Sequence, residues 1–406
     1  MNNNYDFCIV GGGMVGLSIA NQLIDRDISS NIIVLDKENE LGLHSSGLNS
    51  GVLHAGLYYE PNSLKAKVCV SGAKRLKQWV KDRNLPINDC GKIIVPQDSN
   101  LDNQLDILYQ RGLKNGAIVE MWDANQLKNK LPFARSASGR ALWSPNTSVV
   151  KSKIVLKTLE KELREKKVVF KLNQKSWQIN TNLKKIYLNN TETISYSHLI
   201  NCAGLRADEV ASKFKLGEEF TLIPFKGLYW EIINKSKFKL DTNLYPVPDL
   251  NVPFLGVHFT PTADNVPKIN VGPTATFAFG RENYNSFNNI EPLKSAINLA
   301  LLANQYFRNK ASFRKYVHEQ SLLFLKPLMI QSAQKLIPSI NSKDLIISTK
   351  VGIRPQLFNK TTQTLVNDFL SVKGDSSTHI LNAISPAFTA SFALADFIID
   401  QNNDNF

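Results

Sequence analysis

The sequence predicts a mixed α/β fold. It is a Rossmann-like dinucleotide-binding domain assembled from discontinuous segments, with an inserted antiparallel β-rich domain. Three observations predict it. A glycine loop sits between a strand and a helix at the start of the chain, a Pro- and Gly-punctuated run of strands occupies residues 220–285, and a strand leads straight into a helix near the end.

The glycine element begins with the apolar run Tyr5-Asp6-Phe7-Cys8-Ile9-Val10, followed by Gly11-Gly12-Gly13-Met14-Val15-Gly16 and an amphipathic stretch. A second strand, Ile32-Ile33-Val34-Leu35, ends on Asp36. Gly11 permits the tight turn, Gly13 lets a pyrophosphate approach the backbone, and Gly16 lets helix and strand pack closely. The unpaired N–H groups at the helix start then face the phosphates. Asp36 lies 20 positions after Gly16, where a ribose-binding carboxylate is expected, so the site suits FAD or NAD better than NADP.

Composition shifts divide the chain into a dinucleotide-binding domain from residues 1–85, 148–215 and 350–406, and a second domain from residues 86–147 and 216–349. The middle piece of the first domain runs from Ser148-Val149-Val150 through a helix at 154–166 to a strand at 197–204. In the second domain, 91–96, 224–232, 245–248, 254–260 and 268–272 have strand texture, and 290–340 is mostly helical. Near the end, residues 379–384 form a strand, Ser385 is a good N-cap and Pro386 a good first helical residue, and the helix continues from Ala387 to residue 399. The positive end of that helix points to the front of the sheet, where it can stabilise the negative charge of a reduced flavin.

The 406 residues, 43% hydrophobic and 9% aromatic, are those of a globular chain. No apolar run is long enough to span a membrane, and Met1-Asn2-Asn3-Asn4 lacks the features of a signal peptide, which points to the cytoplasm. Cys8, Cys69, Cys90 and Cys202 have no metal-ligand spacing and fit small buried residues of a reduced compartment. No metal site is expected. The formal charge of +13 fits steering of an anionic substrate, contact with an anionic membrane surface, or simple compositional drift. Its densest run, 161–167, alternates with glutamates as a solvated helix face does, and no basic stretch is interleaved with aromatics, so no nucleic-acid partner is expected. Oligomeric state is left open.

Three motifs resemble the D-amino-acid-oxidase-like superfamily of FAD enzymes: the glycine loop, Leu199-Ile200-Asn201-Cys202-Ala203-Gly204-Leu205-Arg206-Ala207-Asp208, and Gly352-Ile353-Arg354-Pro355. Longer strings resemble its L-2-hydroxyglutarate oxidase/dehydrogenase branch. They are His44-Ser45-Ser46-Gly47-Leu48-Asn49-Ser50-Gly51-Val52-Leu53-His54, continuing to Tyr59, then Cys90-Gly91-Lys92, Tyr245-Pro246-Val247-Pro248, and Phe254 through Thr260. The resemblance implies FAD, a small 2-hydroxy acid substrate, and electron transfer to oxygen or a membrane quinone, with a peripheral place on the inner face of the cell membrane in the second case. Pro261 stands where this branch leads one to expect a basic residue, which leaves room for another 2-hydroxy acid.

Oxidation of a 2-hydroxy acid needs a cation for the carboxylate, a base for the hydroxyl proton and a dry pocket. Arg354 is the cation, because a guanidinium meets a carboxylate with two parallel hydrogen bonds. Of the six histidines, His258 and His54 lie in the branch-specific strings, with His258 ranked first as base. His198 and His379 read as structural and His318 as exposed. Tyr229 and Lys226 are further pocket candidates. Lys37, His44, Ser45, Ser46, Asn49, Ser50, Ala203 and Gly204 are assigned to the cofactor with Gly11, Gly13, Gly16, Asp36, Ser385, Pro386 and Ala387. Superfamily members that carry covalent FAD on a similarly placed histidine make His44 a candidate for that link. Alternatives are a glycerol-3-phosphate dehydrogenase, weakened because Gly56-Leu57 is followed by Tyr58 and not Arg, an amino-acid or amine oxidase, and more remotely a tRNA-modifying flavoprotein.

Overall fold

Phe7 to Val10 are buried without alternation, as in a strand covered on both faces, and Asn4–Val10 is accordingly central in an eight-stranded sheet. The computed structural model describes all residues except 1–2, 190–191, 234–237, 249, 251–254, 286, 310–312 and 403–406. Asn4–Val10 pairs in parallel with Ile32–Leu35 on one side and with Glu192–Asn201 on the other. Val169–Lys171 extends the sheet beyond Ile32–Leu35, and Ser377–Asn382 joins Glu192–Asn201, both in parallel. Antiparallel strands finish it: the hairpin Trp177–Asn180 with Lys185–Leu188, and Leu370–Gly374.

One face is covered by the helices Met14–Asp25, Leu64–Asp82, Ser152–Glu165 and Ala387–Asp400. Their Leu17, Leu76, Leu159 and Leu394 share a core with Ile9 and Val34. Each such leucine contributes about 1.5–3 kcal/mol of burial. Gly72 lets two of the helices touch: a Cβ there would lie 2.6 Å from the Ala390 Cα.

The second sheet has ten strands. Its spine is Phe220–Ile232 against Leu345–Asn359, antiparallel from Phe220 opposite Asn359 to Ile232 opposite Leu345. Ile269–Gly272, His258–Pro261 and Asn243–Pro246 follow in antiparallel order. Asn243–Pro246 then pairs in parallel with Lys92–Val95, so the expected antiparallel sheet is mixed at this one junction, where strands from distant segments meet. Helices Pro292–Arg308, Phe313–Gln320 and Lys326–Gln334 fill the region expected to be helical.

Several sequence expectations differ from the structure. Leu345–Asn359 is one strand of the second sheet, so the junction placed at residue 350 falls inside it. Ser148–Val150 pairs with Val52–Leu53 and Ile87–Asn88 in a separate three-stranded sheet. The strand expected at 197 starts at Glu192, because its first half pairs with the hairpin. Phe254, the expected start of the strand carrying His258, lies outside the described residues, and that strand begins at His258. Ser385 is not the cap of the last helix. Its first helical bond runs from Ala390 N–H to the Pro386 carbonyl, which makes Pro386 the capping position and leaves Ser385 one residue outside.

Candidate active site

The glycine loop has the geometry its sequence implies. Gly11 has φ +108°, and a Cβ on it would lie 2.4 Å from the Cys202 carbonyl oxygen. A Cβ on Gly16 would lie 2.2 Å from the Gly11 carbonyl oxygen. Gly13 caps Met14–Asp25 with no side-chain hydrogen bond, and the first turn carries no acidic residue. Apart from the Met14 N–H, which Ser46 Oγ accepts, that helix start offers N–H groups and positive dipole, a fit for a pyrophosphate. Asp36 accepts the Gly12 N–H at 2.8 Å and the Glu38 N–H at 2.9 Å, and each oxygen keeps a second lone pair for a ribose hydroxyl.

The following loop is stitched to this element and to the second sheet. Ser46 Oγ accepts the Met14 N–H at 3.0 Å, and the Asn49 amide donates to the Ser45 and Ser46 carbonyls. The Ser45 hydroxyl donates to the Ile353 carbonyl at 2.8 Å. A Cβ on the neighbouring Gly352 would lie 3.0 Å from the Leu48 carbonyl oxygen.

A cavity of about 260 Å³ lies between the two sheets. From the first come Met14, Val15, Ser45, Ser46, Asn49, Ser50 and His54, with the helix start from Ser385 to Thr389. From the second come Tyr229, Tyr245, His258 and Arg354. Thr389 Oγ1 fixes one side to the other turn by accepting the His54 N–H at 3.2 Å.

Other predicted residues lie elsewhere. Lys226 is not on this wall: strand alternation gives Phe225 and Gly227 to the cavity, while Lys226 donates to Asn283 Oδ1 at 2.9 Å. Ala203 and Gly204 sit behind the Gly11 turn and are not among the cavity residues. His44 is also off the wall, with Nδ1 2.9 Å from the Tyr284 hydroxyl and Nε2 3.0 Å from Glu38 Oε1. Glu38, His44 and Glu282 are close enough to hold an ion, but Lys37 already supplies the cation, contacting Glu38 and lying 3.1 Å from Glu282. His198 and His379 are buried in hydrogen bonds to Thr378, Ser377 and Asn201, and His318 is exposed.

The cavity is electrostatically positive yet holds neutral bases. Burial lowers Arg354 to about 10, an effect partly offset by Tyr316 and Tyr59. Burial is the main reason His258 falls to about 3, opposed by its bond to the Gly256 carbonyl and aided by Lys92. Its Nδ1–H donates to that carbonyl at 2.8 Å, so Nε2 carries the free lone pair. Tyr245 stacks on the ring at 3.9 Å and fixes its plane. His54 is held well below its usual value by burial, then by the charges of Lys92, His258 and Arg354.

Two lysines were not singled out from the sequence as site residues. Lys92 has no exposed surface, and burial brings it to about 7. Its Nζ lies 3.5 Å from His54 Nδ1 and 4.3 Å from the centre of the Tyr245 ring. Burial and the charge of Arg354 bring Lys65 to about 7 as well. Neither forms an ion pair among the described residues. The available signal was a lysine opening the apolar run Lys92-Ile93-Ile94-Val95.

A nucleotide cradle, a cavity in front of the parallel strands and a second sheet closing over it define an FAD-dependent oxidoreductase. Residues 6–401 match the family of FAD dependent oxidoreductases designated DAO, and the chain belongs to it. It is similar to L-2-hydroxyglutarate dehydrogenases: the mitochondrial protein of Nematostella vectensis is 35% identical, covering 100% of this chain and 92% of the relative. The mitochondrial protein of Homo sapiens is 33% identical over 100% and 90%, and that of Indibacter alkaliphilus 32% over 98% and 98%. Among solved structures, the L-α-glycerophosphate oxidase of Mycoplasma pneumoniae with FAD bound superimposes with a TM-score of 0.75 at 22% identity, covering 98% of this chain and 95% of that one. Glycine oxidase of Geobacillus kaustophilus gives 0.71 at 14% identity, covering 99% and 95%. The fold, the family and the FAD cofactor agree with the sequence expectations. No helix among the described residues is long and apolar enough to cross a membrane.

Proposed function

We propose that the protein oxidises L-2-hydroxyglutarate to 2-oxoglutarate and passes the electrons to a quinone or to oxygen. The observation that carries this reading is one cavity bearing a half-buried guanidinium, Arg354, and two buried histidines held neutral, His258 and His54. The similarity to L-2-hydroxyglutarate dehydrogenases supports the choice of acid. FAD, when bound, supplies the two-electron acceptor. The loop from Gly11 to Gly16 and Asp36 hold its nucleotide half, and Ser45, Ser46, Asn49, Ser50 and the turn from Ser385 to Ala387 flank the cavity end.

Arg354 grips the carboxylate next to the reacting carbon. The lone pair on His258 Nε2 accepts the hydroxyl proton while the α-hydrogen leaves as hydride. His54, beside Lys92, takes part in relaying that proton. The apolar wall from Phe388, Tyr229 and Tyr245 keeps water from the reacting carbon.

The test is anaerobic mixing of holoenzyme with a panel of acids while the flavin absorbance is followed. Rapid bleaching by L-2-hydroxyglutarate and not its D isomer is expected. Bleaching only by amino acids or by glycerol 3-phosphate overturns the reading.

A further inference from the structure

A second cleft, of about 280 Å³, shares Asn49 and Ser50 with the active-site cavity and is otherwise built from different residues. One side of it is the start of the helix Ser152–Glu165. That helix has no side-chain cap and no acidic residue in its first turn, so its positive end stays open. Three lysines line the cleft. Lys151 is neutralised by Asp264 at 2.6 Å, the one acid among the lining residues, which also accepts the Thr262 hydroxyl at 2.7 Å. Lys153 is exposed and Lys350 half-buried, and neither forms an ion pair among the described residues.

Asn270 gives an independent sign of a ligand. In Ile269–Gly272, Ile269 and Val271 belong to the core of the second sheet, so alternation turns Asn270 to the opposite face, onto the cleft. It is 6% exposed, and its side chain has no hydrogen-bond partner among the described residues. A buried amide left so is costly unless a ligand takes up its hydrogen bonds. Lys350 is brought to the cleft by an irregularity in the sheet. Leu228 lies opposite Val351 and Trp230 opposite Ile347, so Tyr229 alone faces residues 348–350. This bulge sets the Lys350 Nζ 5.0 Å from the centre of the Tyr229 ring, which lines the active-site cavity. Burial brings Lys350 down to about 8, opposed by Glu231 and reinforced by the charge of Lys153. Glu231 is engaged elsewhere, accepting the Ser348 hydroxyl at 2.6 Å.

We infer that this cleft binds a small dianion, a dicarboxylate or phosphate, with Lys153 and Lys350 balancing its charge and the Asn270 amide and the helix start donating to its oxygens. Two unpaired ammonium groups, a free amide and an open helix end are the donors such an anion needs. The site is wired to the cofactor loop. The hydroxyl of Ser152, the first residue of the helix, donates to Asn49 Oδ1 at 2.7 Å, and that oxygen also accepts the Gly51 N–H at 2.8 Å. An anion that orders the helix start therefore braces the loop beside the cofactor. The inference goes beyond the proposed oxidation and does not depend on which acid the active site takes.

The experiment is calorimetric titration of the full-length holoenzyme with inorganic phosphate and, separately, with glutarate, at an ionic strength matched with chloride. A binding event that persists in Arg354→Lys is expected, and the tighter of the two probes identifies the kind of dianion. Lys153→Gln with Asn270→Ala weakens that event at least about tenfold, since each removes a bond to a charged ligand. Lys153→Gln alone, at an exposed position, weakens it about two- to fivefold. Bound flavin absorbance and Tm verify that each variant is folded. Release of FAD from the parent, followed by its fluorescence, slows at least about twofold in saturating dianion. Absence of binding by both probes overturns the inference. So does binding that Arg354→Lys abolishes and the cleft variants leave intact, which assigns the anion to the active site, and so does FAD release that the dianion leaves unchanged. Binding is read without turnover, so a failure of the proposed oxidation shows separately, in the bleaching of the flavin by the panel of acids.

Discussion

The two walls of the cavity recognise by different means. The wall from the parallel sheet works mainly through backbone: a turn at Gly11, a helix start at Gly13, a second helix start at Ala387, and small hydroxyl and amide side chains that brace the loops. The wall from the ten-stranded sheet works through large side chains, with His258 and Arg354 on neighbouring regions of one sheet and Tyr245 stacked behind the histidine. The first arrangement suits a ligand that is always the same. The second places a guanidinium and two imidazoles on one cavity, which under the proposed function selects the substrate.

That contrast predicts all-or-none effects on the first wall and graded ones on the second. The largest is expected for Gly16→Val: its first added carbon lies 2.2 Å from the Gly11 carbonyl oxygen, so the helix must leave the strand. Loss of bound flavin absorbance and a fall in Tm check it, and a normally loaded variant removes the backbone cradle from the account. Next comes His258→Asn, expected to slow flavin reduction by about 10²- to 10⁴-fold with FAD content unchanged. Since His258 is held near 3, the rate of the parent should stay level through the neutral range and fall only as pH approaches that value. A reduction rate untouched in this variant and in His54→Asn removes the histidines from proton transfer.

Arg354→Lys is expected to cost about 10- to 100-fold in kcat/KM, shared between KM and kcat, because one of two parallel hydrogen bonds to the carboxylate is lost. Lys226→Ala is the control, with near-parental kinetics from its place on the other sheet face. The smallest effect concerns stability. Lys92 is held at about 7 against an ordinary 10.5, so between those values the unfolded chain binds more protons and stability rises with pH. Below the lower value the contribution is constant and unfavourable. Lys92→Met removes this slope while Lys65 keeps its own, which urea unfolding at about pH 7 and about pH 9 measures. An unchanged slope places Lys92 in a better-solvated site than its burial indicates.

The same contrast explains what could be read in the sequence. The glycine loop, Asp36 and the late strand-to-helix element are legible because their geometry is local: spacing along the chain is spacing in space. Arg354 and the two histidines were reached through motif resemblance, and it is the pairing of distant strands that brings all three to one cavity. Lys226 was misplaced because strand parity shows which residues share a face but not which face meets the cavity. His44 stands off the cavity wall because the loop after Ile32–Leu35 turns it toward Tyr284, a partner 240 residues away. Lys92, though it ends the branch-specific string Cys90-Gly91-Lys92, is not assignable to the site from sequence, because an isolated lysine in a strand usually faces water, and here Tyr58 and Tyr245 cover it.

The Ser45 bond to the Ile353 carbonyl joins the cofactor loop to the residue before Arg354. Its consequence is thermodynamic. Free energy exchanged through that joint is reciprocal, so a carboxylate that tightens FAD by some factor is itself held tighter by the same factor once FAD is in place. Retention of the cofactor and affinity for the acid are then two measures of one quantity. Ser45→Ala should weaken that mutual dependence while leaving each separate site standing.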